Sequence, residues 1–459
     1  MNITSEDLTG WGRMPRQTCR VWSPTSGPEI QAFLRKRDGE TTIGRGLGRA
    51  YGDSSLNDAG SVTRCTRLDR FLAFDPETGV LHVEAGVSFA EIIDIFLPQG
   101  WFLPTTPGTK FVTVGGAIAA DVHGKNHHRV GSFGTFVEGV EIIVGDGSTV
   151  SCSRHERSDL FYATLGGMGL TGVIVSARFR LARVESAWIT VRETRTRDVD
   201  HTLEVFARND DSFEHSVAWI DCMARDKKLG RSVVMQGNHT QRNDLPGNLA
   251  VAPLHRPERR VKAVPFTPPV SVLSPLSVRA FNGLFYATHA DRTKLVDIDS
   301  FFYPLDAVYG WNRLYGPRGF VQYQAFFPLE DSFAGLKSML SVVSAAGAAS
   351  FLAVLKTCGP ASGGMLSYLS PGHTLALDIP YQPGETEKLA ATLDRILLDH
   401  GGRIYLAKDA LTDAATFRAM YPRLQEFLDV KRAYDPQGRF SSSQAARLGL
   451  CEGFAPRNS

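Results

Sequence analysis

The sequence predicts an α+β fold of roughly two or three domains, and three observations support this prediction. The chain has 459 residues, enough to bury large cores without disulfides or metals. Residues 17–185 combine short strand-like and helix-like segments with many glycines. They lack the regular strand–helix alternation of a doubly wound sheet. From about residue 186 to 402 the sequence pattern differs, because longer strand-like runs are separated by helix-like runs.

The N-terminal section contains four well-patterned segments. Residues 80–87 alternate apolar and polar side chains as a strand does, and residues 137–152 are typical of two strands joined by an Asp-Gly turn. Residues 87–100 have the apolar spacing of a helix and end at a glycine. Residues 172–184 have the length and β-branched content of a strand.

The middle section begins with an irregular stretch. Residues 237–275 are rich in Pro, Asn and Arg and predict a long loop or mobile excursion. Strand-like runs follow at 320–329, 350–358 and 373–381, and residues 387–402 have the apolar spacing and glycine stop of a helix. This order favours strands that face a substrate and helices that lie behind them.

Neither a secretion signal nor a membrane span is visible in the sequence. The first residues lack a basic stretch followed by an apolar core. The one long uncharged run, 338–355, is rich in Ser, Ala and Gly, and Gly347 interrupts it. This composition favours a helix followed by a strand over a transmembrane helix. These features predict a cytoplasmic protein.

Charge and cysteine content narrow the class of protein further. The 50 basic and 48 acidic residues give a net charge of +2, which argues against a dedicated nucleic-acid binder, although a local basic patch for a phosphate remains compatible. The six cysteines form no C-x-x-C pair and match no zinc or iron–sulfur spacing. They are predicted to be free and mostly buried thiols, as in a reducing compartment.

Three glycine-rich segments stand out, at 44–53, 107–128 and 166–172. Glycines let backbone N–H groups approach a phosphate closely, and a dinucleotide pyrophosphate needs several such donors. The third segment contains a literal G-x-G-x-x-G, but a strand-like run follows it where a Rossmann site needs a helix. A Rossmann site is therefore rejected, and the chain contains no P-loop motif.

The run HGKNHH (123–128) raises the question of a metal site. His123 and His127 are four residues apart, but Gly124 and Asn126 disfavour the helix that this spacing needs. No metal is predicted. The residues by themselves leave open whether these histidines satisfy local hydrogen bonds or contact a cofactor or substrate.

Taken together, the segments resemble the FAD-linked oxidases of the vanillyl-alcohol oxidase superfamily, and within it the flavin subunits of decaprenylphosphoryl-β-D-ribose 2′-epimerases. The resemblance covers nearly the whole chain. It rests on LTGWGR (8–13), RGLGRAYGD (45–53), PGTKFVTVGGAIAADVHGKNHHRVGSFG (107–134), GLTG (169–172), KLGR (228–231), FYPLD (302–306), WNRLYGPRGFVQYQ (311–324), GGRIYLAKD (401–409) and the tail from TFRAMYPR.

The resemblance implies a two-domain arrangement. An FAD-binding domain is formed by residues 1–185 and completed by residues 403–459. A substrate domain of antiparallel sheet and helices, residues 186–402, is inserted between these two parts.

The resemblance also implies a reaction and its residues. Hydride leaves the C2 carbinol of a ribose carried on a polyprenyl phosphate, and a partner NAD(P)H-dependent reductase then returns hydride to the other face of the 2-keto sugar.

The implied catalytic residues are Lys408 and His123. The residues implied to contact FAD are Gly44, Arg45, Gly46, Leu47, Gly48, Arg49, Ala50, Tyr51, Gly52, Asp53, Ser54, Gly108, Thr113, Val114, Gly115, Gly116, Ala120, Asp121, Val122, His123, Ile174 and Tyr405. Those implied to contact the substrate are Tyr51, Lys125, Trp219, Tyr303, Arg313, Gln322, Gln324, Lys356, Thr374 and Ala376.

Two departures from the family pattern matter. Many superfamily members attach FAD through a histidine, but Arg49 stands at that position here, so FAD is expected to bind without a covalent bond. Thr374 and Ala376 stand where mycobacterial members have Asn and Cys, which puts the pocket shape, and hence the exact sugar or lipid, in doubt. Lys408 is expected to act either as a base or as a stabilising charge.

Several alternatives stay open at this point. The chain is also compatible with an alditol- or aldonolactone-type oxidase of a soluble substrate, with a flavin- or lipid-carrying protein without turnover, and with a metal hydrolase that uses HGKNHH. A lipid-linked substrate further implies peripheral contact with the inner membrane, through a region that includes 237–275, with the periplasmic side left open.

Overall fold

The computed structural model describes residues 2–36, 39–347 and 352–451, and it mixes helices and strands as predicted. The first part of the chain holds two sheets, one of four strands and one of five. In chain order its elements are β1 (Thr4–Thr9), β2 (Arg16–Trp22), α1 (Gly27–Lys36), β3 (Thr42–Arg45), β4 (Ser61–Arg64), β5 (Phe71–Phe74), β6 (Val80–Glu84), α2 (Phe89–Phe96), β7 (Trp101–Phe102), α3 (Val114–Ala119), α4 (His127–Val130), β8 (Val137–Ile143), β9 (Thr149–Ser153), α5 (Ser158–Thr164), β10 (Val173–Arg180) and β11 (Ala182–Arg183).

The four-stranded sheet has the order β1-β2-β4-β3 and contains parallel pairs, whereas the five-stranded sheet, β5-β6-β10-β8-β9, is antiparallel. The predicted hairpin is confirmed as β8 and β9. The predicted helix is confirmed as α2, which Ser88 and Glu91 cap at its start. A short 3-10 turn follows α2 and ends at Gly100, where a φ of 79° requires glycine. Because β10 begins directly after Gly172, the rejection of a Rossmann site is also confirmed.

The middle of the chain builds an eight-stranded sheet whose neighbouring strands all pair antiparallel, in the order β16-β12-β14-β13-β19-β20-β18-β21. Its elements are β12 (Trp188–Thr196), α6 (Val199–Asn209), β13 (His215–Ile220), β14 (Ser232–His239), α7 (Gly247–Val251), β15 (Lys262–Ala263), α8 (Pro275–Thr288), β16 (Arg292–Asp297), α9 (Ile298–Phe302), β17 (Val308–Tyr309), β18 (Phe320–Pro328), α10 (Ser332–Ala346), β19 (Ala353–Cys358), β20 (Gly372–Pro380), α11 (Glu385–Asp399) and, from the tail, β21 (Arg403–Ile404).

The two faces of this sheet differ. Leu355, Leu375 and Ala325 lie in register on one face and join a core with α10 and α11 residues such as Leu340 and Leu393. Residues one position away along each strand therefore point to the opposite face, which these helices do not cover. The predicted arrangement of strands with helices behind them is thus present.

The tail returns to the first part of the chain. After β21 it forms α12 (Ala414–Met420), α13 (Leu424–Tyr434) and α14 (Ser443–Arg447). Thr42 N–H donates to Arg439 O at 2.8 Å, which fastens the tail to β3. The fully buried Lys431 pairs with Asp435 at 2.7 Å and also donates to the Leu170 and Phe440 carbonyls. The domain boundaries at 185/186 and 402/403 stay a prediction.

Several sequence predictions need correction at their edges. The stretch 237–275 is not one loop, because its first residues complete β14 and it also contains α7 and β15. The helix predicted at 387–402 runs from 385 to 399. It begins earlier because Gly384 N–H donates to the Glu387 side chain at 2.7 Å, which caps the first turn. The described part of the strand predicted at 350–358 begins at Ala353, and residues 350–351 lie outside the described residues.

Two further findings concern the whole described chain. Its six cysteines are free, and all but Cys451 are buried, which confirms that prediction. Among the helices of the described residues, none combines the length and the apolar character that crossing a membrane requires.

Candidate active site

The uncovered face of the eight-stranded sheet carries most of the residues predicted to contact substrate. Trp219, Val354, Ala376 and Gln324 form one row across β13, β19, β20 and β18. In the adjacent row Lys356 pairs with Thr374. Because paired residues share a face and side chains return to it every second residue, these side chains line one wall.

A hydrogen-bonded group crosses this wall. Gln324 Nε2 lies 3.0 Å from His123 Nε2 and 3.4 Å from Thr374 Oγ1, and Thr374 Oγ1 lies 2.7 Å from the Tyr368 hydroxyl. Burial, together with the charge of Lys356, holds the pKa of His123 well below its usual range, so the imidazole is neutral. With Gln324 donating to Nε2, the proton sits on the buried Nδ1, which has no partner among the described residues.

Lys408 lies between this wall and the first glycine-rich segment. Tyr405 N–H donates to Gln324 O at 3.0 Å, and Tyr51 N–H donates to Ala407 O at 2.9 Å. The Lys408 Nζ atom sits 3.7 Å from the centroid of the Tyr51 ring. Burial lowers the pKa of Lys408 to about 7, opposed by Asp378 and reinforced by Lys356. A lysine in this state can exchange a proton near neutral pH.

Asp378 is a charged pocket residue that sequence reasoning missed. It is fully buried, accepts hydrogen bonds from Gln322 Nε2 and from the Tyr315 hydroxyl at 3.4 Å, and pairs with Gln322 across the ladder. Burial raises the pKa of Asp378 to about 7. A signal was available, because Asp378 follows Thr374 and Ala376 at two-residue spacing and so shares their face.

The glycine-rich segments converge on one another. A Cβ atom on Gly46 would lie 2.2 Å from Thr113 Oγ1, and one on Gly52 would lie 2.0 Å from Asp409 O. Only glycine permits these approaches, which join residues 44–54 to the start of α3 and to the segment of Lys408. Thr113 caps α3 by accepting from Gly116 N–H at 3.2 Å.

These segments fit a dinucleotide. The backbone N–H groups of residues 46–50 and 108–109 donate to no other group of the described residues. A Cβ atom on Gly108 would meet no atom within 4 Å, so the backbone there borders open space. Two runs of available N–H groups beside glycines are the donor set that a pyrophosphate needs. The orphaned Nδ1 of His123 adds a side-chain donor.

Other predicted cofactor residues shape the site without offering free side chains. The Tyr405 hydroxyl donates to Ala120 O at 2.7 Å, and its ring stacks on that of Tyr368 with the centroids 4.7 Å apart. These contacts place the Ala120–His123 segment against the pocket wall. Asp121 instead accepts from Gly134 N–H and from two serine hydroxyls. The carboxylate of Asp53 is held by Arg447 at 2.8 Å.

Some predicted substrate contacts have other partners. Arg313 donates to the Val264 and Pro265 carbonyls at 2.8 and 3.0 Å. Tyr303 is almost fully buried and hydrogen-bonds Thr106 at 2.8 Å. Lys125 donates to Phe301 O, and burial lowers the pKa of Lys125 to about 7. The structure thus groups Tyr51, Gln322, Gln324, Lys356 and Thr374 with Lys408, and it leaves Arg313 and Tyr303 engaged elsewhere.

The histidines of HGKNHH do not form a ligand set. His127 lies 3.1 Å from Ser132 Oγ and accepts from Gly359 N–H, while His128 lies 3.0 Å from Phe213 O. Among the described residues, the one close group of potential metal ligands is Glu214, His215 and His239, which includes none of the three. The metal-hydrolase alternative therefore has no support at this motif.

Comparisons with known proteins agree with this geometry. A family model described as an FAD binding domain matches residues 20–153, and a model described as D-arabinono-1,4-lactone oxidase matches residues 358–448. The first contains two of the three glycine-rich segments and the second contains Lys408. The protein therefore has an FAD-binding domain, together with a second domain built on an antiparallel sheet.

Individual relatives extend the match to the whole chain. A decaprenylphosphoryl-β-D-ribose oxidase of Mycolicibacterium smegmatis is 37% identical over 97% of this chain and 98% of its own. An uncharacterised protein of Streptomyces coelicolor is 33% identical over 79% of this chain and 100% of its own. The Δ24-sterol reductase of Mus musculus matches a smaller part, 31% identical over 31% of this chain and 28% of its own. Similarity of this extent to the first relative shows that the chain belongs to the decaprenylphosphoryl-β-D-ribose oxidase family of FAD-linked oxidases.

Proposed function

We propose that this protein uses FAD to oxidise the 2′-hydroxyl of a polyprenylphosphoryl-β-D-ribose to the 2′-keto sugar. The name of its M. smegmatis relative supports the substrate class. The observation that carries the proposal is the position of Lys408, held against Tyr51 and facing a wall of Gln322, Gln324, Thr374 and Lys356. Amides, a hydroxyl and amines are the groups that bind sugar hydroxyls and a phosphate.

In the proposed reaction, Lys408 and His123 are the catalytic residues. FAD, when bound, accepts the hydride that leaves the sugar carbon. As the carbonyl forms, the hydroxyl loses its proton, and Lys408 either takes that proton or stabilises the negative charge that develops. Neutral His123, fixed by Gln324, offers Nδ1–H as a hydrogen-bond donor.

A spectroscopic assay tests the proposal directly. The pure protein should show flavin bands that bleach when a polyprenylphosphoryl ribose is added without oxygen. D-arabinono-1,4-lactone and an alditol serve as competing substrates, because a lactone-oxidase model matches part of the chain. Bleaching by these soluble compounds, with none by the lipid-linked ribose, would reject the proposal in favour of a soluble sugar oxidase.

FAD is proposed to bind without a covalent bond. Arg49 stands where linking histidines occur, and its guanidinium lies 4.2 Å from the Trp11 ring centroid. A guanidinium is not a nucleophile that can attach a flavin. Acid precipitation should release all yellow colour into the supernatant, and flavin that stays with the pellet would contradict this expectation.

The keto product implies a second enzyme. A 2′-keto sugar on a lipid carrier needs a hydride donor to complete epimerisation, so we propose an NAD(P)H-dependent reductase as partner. The proposed division into residues 1–185, 186–402 and 403–459 leaves the pocket at the junction of these parts.

We also propose peripheral contact with the inner membrane. Val261, Phe266, Val270, Val272, Leu276 and Leu284, defined here as the apolar surface, are all exposed. The ring centroids of Phe285 on α8 and of Trp219 in the pocket wall lie 4.4 Å apart, so this surface adjoins the site. Of the basic residues nearby, Arg256 and Arg259 pair with acidic groups, whereas Arg260 and Lys262 are exposed.

A basic cavity beside α8 supports the same contact. Arg225, Lys228, Arg231 and Arg279 line a cavity of about 240 Å³ whose one acidic residue, Asp221, pairs with Arg231 at 2.8 Å. Cationic groups flanking exposed apolar side chains match the charge of anionic lipids.

Changing three residues of this surface tests the membrane contact. A Phe266→Ser, Val270→Ser, Leu276→Ser variant should bind anionic vesicles at least about tenfold more weakly, since each buried side chain contributes about 1.5–3 kcal/mol. Its flavin content should not change. Leu329→Ser with Phe333→Ser is the matched control, because both residues are exposed elsewhere. Equal vesicle binding by the two variants would speak against the proposed surface.

A further inference from the structure

The pocket wall carries one carboxylate that no arginine or lysine of the described residues contacts. Asp378 receives its hydrogen bonds from neutral groups, the amide of Gln322 and the hydroxyl of Tyr315. It lies in the same uncovered face as Gln322, Ala376 and Thr374. A fully buried carboxylate without a cationic partner is costly to keep, which points to a function in the site.

We infer that Asp378 is a positioning residue that acts through Lys408, its carboxylate setting the charge state in which the lysine meets the sugar. The inference rests on the proposed role of Lys408. It adds to that role a residue that neither touches the sugar nor transfers a proton itself.

A series of aromatic contacts connects the surroundings of Asp378 to those of Lys408. The ring of Tyr315, whose hydroxyl donates to Asp378, stacks on that of Phe320 with the centroids 4.0 Å apart. The Phe320 ring in turn packs edge-on against the Tyr51 ring at a centroid distance of 5.4 Å. Lys408 Nζ lies over that same Tyr51 ring at 3.7 Å. Because Asp378 and the three aromatic rings are all buried, the field of the carboxylate is only weakly screened.

The other charged groups around Lys408 do not substitute for Asp378. Lys356 on β19 is cationic and acts in the opposite direction, and His123 beyond α3 is neutral. The adjacent Asp409 forms an ion pair with Arg447 at 2.9 Å. It also accepts hydrogen bonds from the N–H groups of Leu411 and Thr412. Asp378 is therefore the acidic group that sustains the charge of Lys408.

The direction of the effect follows from these signs. Burial and Lys356 lower the pKa of Lys408, and Asp378 raises it. Removing the carboxylate charge should lower the pKa of Lys408 further and increase the neutral amine at a given pH. A neighbouring opposite charge typically shifts a pKa by about one unit or more.

Asp378→Asn tests the inference, because the amide keeps an acceptor for Gln322 and a polar partner for Tyr315. The pKa of Lys408 is measured in the holoenzyme by competitive labelling of lysines at a series of pH values, with mass spectrometry of the peptide that contains residue 408. The expected result is a fall of about one unit. Since no substrate is present, this readout does not depend on whether the proposed substrate is correct.

Asp394→Asn is the matched control. Asp394 accepts from the Tyr323 hydroxyl at 2.6 Å, but Tyr323 lies one residue from Gln322 and Gln324 and so on the other face of the sheet. This variant should leave the pKa of Lys408 unchanged. If Asp378→Asn fails to retain FAD, Tyr315→Phe removes one hydrogen bond to the carboxylate and should shift the pKa of Lys408 in the same direction by less.

The pH dependence of flavin reduction adds a second readout. If neutral Lys408 acts as a base, Asp378→Asn moves the acid limb of the profile to lower pH. If cationic Lys408 stabilises charge, the variant moves the alkaline limb to lower pH instead. An unchanged pKa of Lys408 in a folded, FAD-loaded Asp378→Asn protein would overturn the inference, and so would an equal shift in Asp394→Asn.

Discussion

Lys408→Ala is expected to slow flavin reduction by about 10²–10³-fold while the protein still folds and binds FAD, which is the usual cost of removing one pre-placed charge. The side chain is held between the Tyr51 ring and the sheet, where burial brings the pKa of Lys408 to about 7. Its ammonium has no carboxylate within 4.0 Å among the described residues, so it is not engaged in an ion pair that would explain its position.

The measurement is a single-turnover experiment under anaerobic conditions, in which flavin absorbance is followed after mixing with substrate. Lys408→Met keeps the methylene packing on Tyr51 without the charge and should match the alanine variant. Lys388→Ala, an exposed lysine of α11, should reduce its flavin at the wild-type rate. Near wild-type reduction by both Lys408 variants would remove this lysine from the mechanism.

Arg447→Met is expected to lower the free energy of unfolding by about 3–5 kcal/mol, because it leaves two carboxylates buried without their cation. Arg447 Nη2 lies 2.8 Å from Asp53 and 2.9 Å from Asp409, both of which are buried. Burial raises the pKa of the Asp53 carboxyl even with Arg447 beside it. The side chain thus joins the tail to the first glycine-rich segment and to the residue next to Lys408.

Urea unfolding followed by circular dichroism measures this effect. Arg432→Met on α13 is the matched control, since its ion pair with Asp429 at 2.9 Å is at the surface and such pairs contribute about 0–1 kcal/mol. We also expect FAD to dissociate more readily from Arg447→Met, because residues 45–53 lose their anchor. Equal stability of the two variants would show that this cluster is not what fastens the tail.

Local pattern was enough to predict several elements. Two-residue alternation and an Asp-Gly turn predicted β8 and β9, and apolar spacing with a glycine stop predicted α2. These features depend on neighbours within a few residues of one another, so a single sequence contains them. The positions of β15 and α7 within 237–275 were not predicted, because a two-residue strand and a five-residue helix leave little periodicity.

The tertiary structure decided which side chains meet. By itself the sequence determined the α+β class, the glycine-rich segments suited to a dinucleotide, and the Lys408 and HGKNHH motifs. Only the fold paired Asp409 with Arg447, tied Arg313 to backbone carbonyls, and placed Asp378 in the pocket wall. These pairings join residues 38, 49 and 56 positions apart. The partner of a side chain at such a separation depends on strand register and on where the chain returns, which no local pattern records.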